Sequence, residues 1–293
     1  MAHSTISVLI ISYKTSHLMQ DLVDSIKENI EVEILIVDNA STDETFAELE
    51  SVKDSRVKLL RSEKNLGFTG GINFGLKYML ENMPHIKHFF LFNPDALSSP
   101  SLIENLFELL ESDKNIAAAS PQILFPDGKP WYSGATLNIN KGRVYNNPKA
   151  SDKKGAKYYD VDVFSGCAVL FDLEKVIKVG MFNEDLFMYY DEADLAIRLK
   201  EQGYRIVYTP ELSIVHDVSY TTKNITHLKT YYMTRNKFIV FNKKMSLSSK
   251  VYFMLHELAY HLKNRRGKNA IFHLKGFIDF LKGKKGSYEA ASL

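Results

Sequence analysis

The chain has 293 residues, of which 45% are hydrophobic and 25% charged, and its 37 basic and 35 acidic residues leave a net charge of only +2. This length suits one large domain or a domain with an appendage, and the composition excludes a largely disordered chain. The single cysteine, Cys167, excludes an intrachain disulfide. Because Cys167 lies in an apolar run, we expect a buried structural thiol, and the lack of disulfides suits a reducing compartment.

No segment of the sequence has the character of a membrane span or a secretion signal. The apolar run Val8–Ile11 is too short for a signal peptide and lacks a preceding basic region. No stretch approaches the roughly 18–20 apolar residues of a spanning helix. We therefore expect a soluble, cytoplasmic chain.

The first hundred residues alternate between short apolar runs and helical patterns. The runs predict buried strands at 7–12, 34–37, 57–60 and 88–92. Helices are predicted at 18–30, 42–49 and 71–80, and a fourth with Ser99 as its N-cap and Pro100 in its first turn. This alternation predicts an α/β fold with a mainly parallel sheet and helices on both faces.

The amino-acid composition changes after about residue 120. Residues 120–165 are rich in Gly, Pro, Asn and Lys, which predicts an irregular, mainly antiparallel region with a mobile loop near 146–155. Regular structure then returns with a helix at 191–202 and short strands at 205–208 and 212–216. The sequence from Thr226 onward is helical in character.

Ligands of such sheets bind beyond the carboxyl ends of the strands, so residues just after each predicted strand are candidates for a site. Tyr13, Asp38, Asn65 and Asp95 occupy those positions. The Asp38 carboxylate can accept hydrogen bonds from a base or a ribose. The alternative is that it caps the following helix.

A glycine-bearing turn, Asn65–Asn73, leads into the third predicted helix. Its glycines let the backbone approach a ligand, and the N–H groups of a helix N-terminus attract phosphate. A simple connection between two elements is the alternative. The turn matches neither the G-x-G-x-x-G pattern nor the P-loop, which disfavours a dehydrogenase or an ATPase.

Asn93 and Asp95 follow the fourth strand directly, and Pro94 fixes the turn between them. One carboxylate together with diphosphate oxygens and water is an ordinary coordination set for Mg²⁺ or Mn²⁺. The alternative is a turn aspartate that bonds its own backbone.

Three carboxylates, those of Asp191, Glu192 and Asp194, begin the helix at 191–202. The helix dipole accounts for one or two of them. Mutual repulsion raises the pKa of a carboxyl group, as suits a general base. Arg198 is placed to pair with Asp194, so Asp194 is interpreted as structural and the other two as functional.

Two further polar positions are open to either interpretation. His216 ends an apolar strand beside the hydroxyl-rich segment 219–222, although a lone histidine is more often structural. Arg235, followed by Asn236 on an aromatic-rich helix, can bind a diphosphate bidentately or form an ordinary ion pair.

Taken together, these segments resemble the family 2 glycosyltransferases with the GT-A fold, especially the bacterial rhamnosyltransferase-like branch. The resemblance covers roughly residues 6–240. Its segments, in chain order, are Val8–Tyr13, Val37–Asp43, Asn65–Gly71, Leu91–Asp95, Gly180–Leu195, Gly203–Arg205, His216 and Arg235–Asn236.

The resemblance implies a role for each matching residue. Asp38 would contact the base of the donor, Asp95 and His216 would hold Mg²⁺ or Mn²⁺, and Glu192, with Asp191, would supply the catalytic base. The nucleotide contacts implied are Ser12, Tyr13, Asp38, Asn65, Gly67, Gly70, Gly71, Asn73, Asn93 and Arg235. The chain departs from the pattern with Asn93 where an Asp is common, and with Asp-Glu where Glu-Asp is commoner.

The implied reaction is an inverting, metal-dependent sugar transfer by a single in-line displacement, on a glycan or lipid-linked glycan acceptor of cell-surface polysaccharide synthesis. The branch favours dTDP-rhamnose as donor, with UDP-hexoses next. The alternatives are a catalytically inactive module that binds sugar nucleotides, and a nucleotidyltransferase. A nucleotidyltransferase would carry a Gly-rich, basic loop after the first strand, where Tyr13-Lys-Thr-Ser-His has no glycine.

The implied domain division is a catalytic domain at 1–240, with a nucleotide-binding half (1–115) and an acceptor half (116–240), and a helical extension at 241–293.

Residues 261–285 hold eight Lys or Arg against one acid, Asp279. A basic amphipathic helix of this kind suits an anionic membrane surface, which would make the protein peripheral on the inner face of the cell membrane. The alternative is packing on the catalytic domain or in a homodimer. Nucleic acid is disfavoured because the charge is confined to the tail.

Overall fold

A computed structural model describes residues 5–27, 31–146, 156–216, 226–263 and 268–288. In this part of the chain the centre is a sheet of ten strands, and two further strands form a separate hairpin. The strands are β1 Ile6–Ser12, β2 Glu33–Asp38, β3 Val57–Arg61, β4 His88–Phe92, β5 Ala96–Leu97, β6 Ile116–Leu124, β7 Pro130–Tyr132, β8 Ala135–Asn138, β9 Arg143–Asn146, β10 Tyr159–Asp160, β11 Ala168–Asp172 and β12 Arg205–His216. The helices are α1 Met19–Ser25, α2 Asp43–Glu50, α3 Gly67–Asn82, α4 Leu102–Glu111, α5 Leu173–Lys178, α6 Asp191–Glu201, α7 Thr226–Phe241, α8 Leu247–Lys263 and α9 Lys268–Leu281.

The main path of the sheet runs β10-β12-β6-β11-β4-β1-β2-β3, with β5 paired to β12 and β7 to β6. The neighbours among β1 to β4 are parallel, whereas β11 lies antiparallel between β4 and β6. All seven residues of β1 are buried, as expected for a central strand covered on both faces. The mainly parallel α/β sheet predicted from the sequence is therefore present.

The parallel pairing brings several candidate residues to one edge of the sheet. Ser12 and Asp38 are directly paired in the register of β1 and β2. β4, which pairs with the other side of β1, ends just before Asn93. The carboxyl ends of three neighbouring strands therefore meet beside the candidate site.

Several element boundaries differ from those predicted. The first helix, predicted to reach residue 30, ends at Ser25. The strands predicted at 205–208 and 212–216 are one strand, β12, with a register shift between Thr209 and Ser213, next to Pro210, which has no N–H to donate. α3 begins at Gly67 instead of residue 71. α4 begins at Leu102, after Ser101 with φ +55°, so the predicted N-cap Ser99 is wrong; its carbonyl accepts from the Leu102 N–H.

The irregular region at 120–165 is built largely from antiparallel pairs. β7 pairs with β6, and β8 forms a hairpin with β9. The loop predicted near 146–155 lies outside the described residues except for Asn146.

The C-terminal helices close one end of the molecule. Phe238 of α7 packs against Phe253 of α8 and against Phe277 and Phe280 of α9. The predicted boundary at 240 falls one residue before the end of α7. Within the described ranges, no helix combines the length and the apolar character that a membrane span requires.

Candidate active site

At the ends of β1 and β2 the predicted nucleotide contacts lie side by side. Asp38 is fully buried, accepts hydrogen bonds from the Ser41 N–H at 3.3 Å and lies 3.5 Å from the Arg61 guanidinium. Ser12 bonds the Thr15 hydroxyl at 3.0 Å, and the Tyr13 ring is 43% exposed. Thr42, which accepts from the Thr45 N–H, caps α2, so helix capping does not account for Asp38.

Asn39, which the sequence analysis did not single out, connects this strand end to the glycine turn. Its side-chain N–H groups reach the Gly67 carbonyl at 2.9 Å and the Asn65 side chain at 3.3 Å, and its oxygen accepts from the Leu66 N–H at 2.9 Å. The buried Asn39 amide thus fixes the turn against β2. No local spacing in the sequence signals this role, because the partners lie 26 to 28 residues away.

The N-terminus of α3 is turned toward protein rather than toward an open pocket. The N–H groups of Phe68 and Thr69 both donate to the Phe187 carbonyl, at 2.7 and 3.3 Å. A Cβ at Gly67, where φ is +73°, would lie 2.4 Å from that same oxygen. The phosphate-attracting N–H groups expected there therefore already have an acceptor, and a nucleotide contact of the turn stays a prediction.

The remaining glycines and the asparagine of this segment also have structural partners. A Cβ at Gly71 would lie 2.9 Å from Ile11, and one at Gly70 would lie 2.9 Å from Leu66. Asn73 is buried and bonds the Phe182 N–H and carbonyl at 3.0 and 2.8 Å. These contacts let α3 approach both β1 and the segment before α6.

The pairing of β5 with β12 brings Asp95 and His216 together. His216 lies opposite Ala96, and its Nε2 is 2.9 Å from an Asp95 carboxylate oxygen. Both side chains are almost fully buried, and His216 Nδ1 has no hydrogen-bond partner in the described structure. Its possible neighbours at 219–222 lie outside the described residues.

Asp95 and His216 alone are too few to hold a divalent cation, so further ligands would have to come from elsewhere. Nowhere in the described ranges do three or more His, Cys, Asp or Glu side chains gather as a cluster. A carboxylate and an imidazole supply two ligands of the kinds that such ions accept, and diphosphate oxygens would complete the coordination. The donor set present therefore suits a metal that binds together with the nucleotide.

Cys167 is buried near enough to Asp95 and Glu192 to be affected by the charges of both. Burial raises the pKa of this thiol well above its ordinary value, and the charges of Asp95 and Glu192 raise it further. Its carbonyl also accepts from the Asn93 N–H at 2.9 Å. The predicted buried, structural thiol is confirmed.

The acid pair that opens α6 is divided between two environments. Glu192 lines a cavity of about 280 Å³, and burial raises the pKa of its carboxyl group despite a hydrogen bond from the Gly166 N–H. Asp191 is buried, its Oδ2 has no partner, and burial followed by the charge of Glu192 raises its pKa well above the usual range. Asp194 pairs with Arg198 at 2.7 Å, as predicted.

The turn before α6 is strained. Phe187, Tyr189 and Tyr190 all have φ between +65° and +66°, a region that costs a residue with a side chain about 1–3 kcal/mol. Asn236 holds the turn by donating to the carbonyls of Leu186, Met188 and Tyr189 at 2.8, 2.7 and 3.1 Å. Asn236 thereby fixes the turn that directly precedes Asp191 and Glu192.

Arg235 lies in the same network and is fully buried. Its guanidinium donates to the carbonyls of Asp185, Leu186 and Gly286 at 3.2, 3.1 and 2.8 Å, and to the Asn236 side chain at 3.0 Å. Every side-chain nitrogen of Arg235 thus has an acceptor within the protein, and a surface ion pair does not describe it. Contact with a diphosphate stays a prediction.

The wall of the cavity beside Glu192 is apolar for the most part and rich in aromatic residues. It includes Trp131, Tyr132, Tyr189 and Tyr190. The Trp131 ring also meets His216 edge-to-face, with centroids 5.0 Å apart. The sequence analysis missed Trp131, because nothing in the 120–165 region relates it to a strand end 85 residues later.

Comparison with known proteins agrees with this architecture. Residues 7–180 match the family described as Glycosyl transferase family 2. The low-salt glycan biosynthesis hexosyltransferase Agl10 of Haloferax volcanii is 25% identical over 83% of this chain and 77% of its own length. The dTDP-rhamnosyl transferase RfbF of Shigella flexneri is 22% identical over 87% of both chains. The N-acetylglucosaminyl-diphospho-decaprenol L-rhamnosyltransferase of Mycobacterium tuberculosis is 26% identical over 65% of this chain and 68% of its own.

Solved structures show the same fold. The mannosyltransferase PcManGT of Pyrobaculum calidifontis, in complex with GDP-Man and Mn²⁺, superposes with a TM-score of 0.57 and 16% identity over 97% of this chain and 88% of its own. GalNAc-T7, with UDP, GalNAc and Mn²⁺, gives a TM-score of 0.66 and 14% identity over 96% of this chain, which spans 56% of that longer enzyme. The predicted GT-A fold is confirmed, and with more than half of its length matched, the chain belongs to glycosyl transferase family 2.

Proposed function

We propose that the protein is an inverting, divalent-metal-dependent glycosyltransferase of cell-surface polysaccharide synthesis. It moves a sugar from a nucleoside diphosphate donor to a hydroxyl group of a glycan or lipid-linked glycan. The observation that carries the proposal is the position of Glu192, a carboxylate with a raised pKa in a cavity beside the buried Asp95–His216 pair. A raised pKa suits a general base that works near neutral pH.

The proposed reaction is one displacement. Glu192 takes the proton from an acceptor hydroxyl in the cavity, and the hydroxyl oxygen forms a bond to the anomeric carbon of the donor sugar. The bond from that carbon to the diphosphate oxygen breaks on the opposite side, so the anomeric configuration inverts. Asp191, the neighbouring residue, is itself buried, and burial together with the charge of Glu192 raises the pKa of Asp191.

The donor would lie across the carboxyl ends of β1, β2 and β4. Asp38, Ser12 and Tyr13 stand where a nucleoside would be held, and Asp95 with His216 would hold Mg²⁺ or Mn²⁺. A bound metal ion would offset the charge that grows on the leaving diphosphate.

Rhamnose from dTDP-rhamnose is the donor we propose first. Three of the relatives are named as rhamnosyltransferases, those of Mycobacterium tuberculosis, Shigella flexneri and Escherichia coli. Agl10 is named as a hexosyltransferase, so a UDP-hexose is the second candidate.

The test is a melting-temperature screen against dTDP-rhamnose, UDP-glucose, UDP-galactose and GDP-mannose, with Mn²⁺ or with EDTA. A donor that binds only the folded protein raises its melting temperature. We expect one donor to do so only with metal, and Asp95→Asn to lose the effect. Asp127→Asn, which changes an exposed aspartate in the β6–β7 turn, is the matched control.

Well-folded protein that responds to no sugar nucleotide would refute the proposal. Binding without transfer to any glycan acceptor would favour the inactive binding module. A product with retained anomeric configuration, read by NMR of the transferred sugar, would contradict the single displacement.

We also propose that the tail contacts an anionic lipid surface, which would place the protein at the inner face of the cell membrane. α9 turns Phe277 and Phe280 toward α7, yet it leaves Ile271 62% and Leu281 59% exposed. These residues share an exposed apolar stripe with Leu274 and Ile278. The surplus of Lys and Arg over acids in 261–285 complements anionic headgroups.

Point substitutions test this contact better than deletion of the tail, because the chain after α9 also bonds Arg235. The double change Ile271→Asp and Ile278→Asp should abolish sedimentation with anionic vesicles and leave donor binding unchanged. Leu80→Asp, an exposed leucine on α3, is the control. Unchanged sedimentation, or a wild-type dimer that the double change dissociates, would refute the lipid contact.

A further inference from the structure

We propose that the cavity beside Glu192 is a subsite for one neutral sugar ring of the acceptor, with Trp131 as its stacking platform. The inference rests on the proposed function and names the class of acceptor that it uses. Its basis is the composition, size and position of the cavity.

Composition separates this cavity from a phosphate or nucleotide site. Among the described residues that line it, Glu192 carries the only charge, and neither Lys nor Arg is present. A phosphate, a uronic acid or any other anion placed there would meet the Glu192 carboxylate without a compensating cation. The occupant is therefore neutral at the ring that reacts, and the diphosphate of a lipid-linked acceptor would lie outside the cavity.

The aromatic wall matches the chemistry of a sugar ring. A pyranose presents a face of C–H groups and a rim of hydroxyl groups, so it packs on a flat aromatic surface and turns its hydroxyls toward polar partners. Trp131, Tyr189 and Tyr190 supply rings, and Ser165 and Asn146 supply polar side chains. Few polar groups within a mostly apolar lining that includes aromatic rings are typical of small-molecule sites.

The size limits the occupant to a single ring. A volume of about 280 Å³ lies at the lower end of ligand pockets, which begin near ~300 Å³. One monosaccharide suits this space better than an oligosaccharide or a lipid chain. The rest of the acceptor must leave through the open side of the cavity.

The position of Trp131 places the subsite between the base and the donor. The indole ring makes an edge-to-face contact with His216, which pairs with Asp95, and it also lines the cavity that holds Glu192. The Asn146 side chain donates to the Trp131 carbonyl at 3.3 Å and fixes the strand that carries it. A ring stacked on Trp131 would therefore lie with its hydroxyl rim between the base and the anomeric carbon.

Trp131 is the only tryptophan in the sequence, so its fluorescence reports on the subsite without labelling. The full chain would be titrated with methyl glucoside, methyl galactoside and methyl N-acetylglucosaminide, and with methyl glucuronide as a charged analogue. We expect a saturable change in emission with at least one neutral glycoside and none with the glucuronide. No saturable change with any neutral glycoside, or an equal response to glucuronide, would overturn the proposal.

A second readout is the KM for the neutral glycoside that binds, measured with that glycoside as the acceptor. Trp131→Ala should raise the acceptor KM about tenfold, equivalent to ~1.4 kcal/mol, and leave the donor KM unchanged. Trp131→Phe, which keeps a flat ring, should restore most of the affinity, and Tyr252→Ala, an exposed aromatic on α8, should have no effect. An unchanged acceptor KM, or an equal rise in the donor KM, would overturn the assignment. Glycoside binding without transfer would instead count against the transferase activity alone.

Discussion

The two neighbouring acids at the start of α6 lie in different surroundings, and this difference separates their roles. Glu192 reaches the cavity, where it can meet a substrate, whereas Asp191 is enclosed and leaves one oxygen without a partner. A buried, unpaired carboxylate destabilises the folded state when it ionises. We therefore infer that Glu192 acts on the acceptor and that the enclosed Asp191 does not contact it.

Replacing Glu192 by Gln should lower turnover at least ~100-fold and leave donor binding intact, because only the proton acceptor is lost. Since burial raises the pKa of Glu192 above its ordinary value of 4.5, the wild-type rate should fall on the acid side at a pH above that value. Initial rates across pH check this. Glu108→Gln, on the exposed face of α4, is the control, and full activity of Glu192→Gln would remove Glu192 from its role.

Asp191→Asn should raise the melting temperature at neutral pH. The folded-state pKa of Asp191 lies above its ordinary value of 3.8, so the stabilising, protonated form is present at low pH and is lost as pH rises through the folded pKa. The advantage of Asn should therefore shrink as the pH falls toward 3.8. Asp127→Asn, whose exposed carboxyl has a pKa lowered by Lys129, should give no such gain. An equal gain at all pH values would contradict this account.

The candidate residues that could be identified from the sequence are those whose position next to an apolar run indicates a role. Asp38, Asp95 and the pair Asp191–Glu192 stand at strand or helix ends, where polar residues interrupt apolar runs. Asn39 and Trp131 escaped notice, because their importance depends on partners that only the fold brings near. The sequence around Asn39 or Trp131 gives no indication of these contacts with distant residues.

At the scale of elements, the central strands could be predicted and several helix boundaries could not. Apolar runs mark the strands, since both faces of this sheet are covered. The start of α3 at Gly67 depends on the Phe187 carbonyl, 120 residues further along the chain. A tertiary acceptor at a helix N-terminus leaves no capping side chain to recognise.

Asn236 should be the side chain on which the strained turn before α6 depends most. Asn236→Ala would remove this donor from the carbonyls of Leu186, Met188 and Tyr189, and a carbonyl left unpaired costs about 1–3 kcal/mol where it is buried. We expect a lower melting temperature and a loss of activity that exceeds the loss of donor binding. Asn242→Ala, near the end of α7, is the matched control. Wild-type activity in Asn236→Ala would show that the turn holds its shape unaided.

At the scale of the whole molecule, the catalytic and C-terminal parts form one interlocked structure. The Gly286 carbonyl accepts from Arg235, and the Gly286 N–H donates to the Asp185 carbonyl at 2.8 Å. Tyr231 of α7 bonds the buried Asp279 of α9 at 3.0 Å. The C-terminal helices thus hold the turn that presents the acid pair, in addition to offering an exposed apolar stripe.

This bond between Gly286 and Arg235 has a consequence for the order of events during synthesis. The acids at 191 and 192 leave the ribosome well before residues 235, 236 and 286, which hold their turn in place. A nascent chain halted after residue 263 should therefore bind a sugar nucleotide weakly and transfer nothing, and activity should start only when residue 288 has emerged. Stalled ribosome complexes assayed for transfer check this, and a working enzyme at residue 263 would contradict it. Translation would thus withhold a reactive site until the segment that holds the turn has been made.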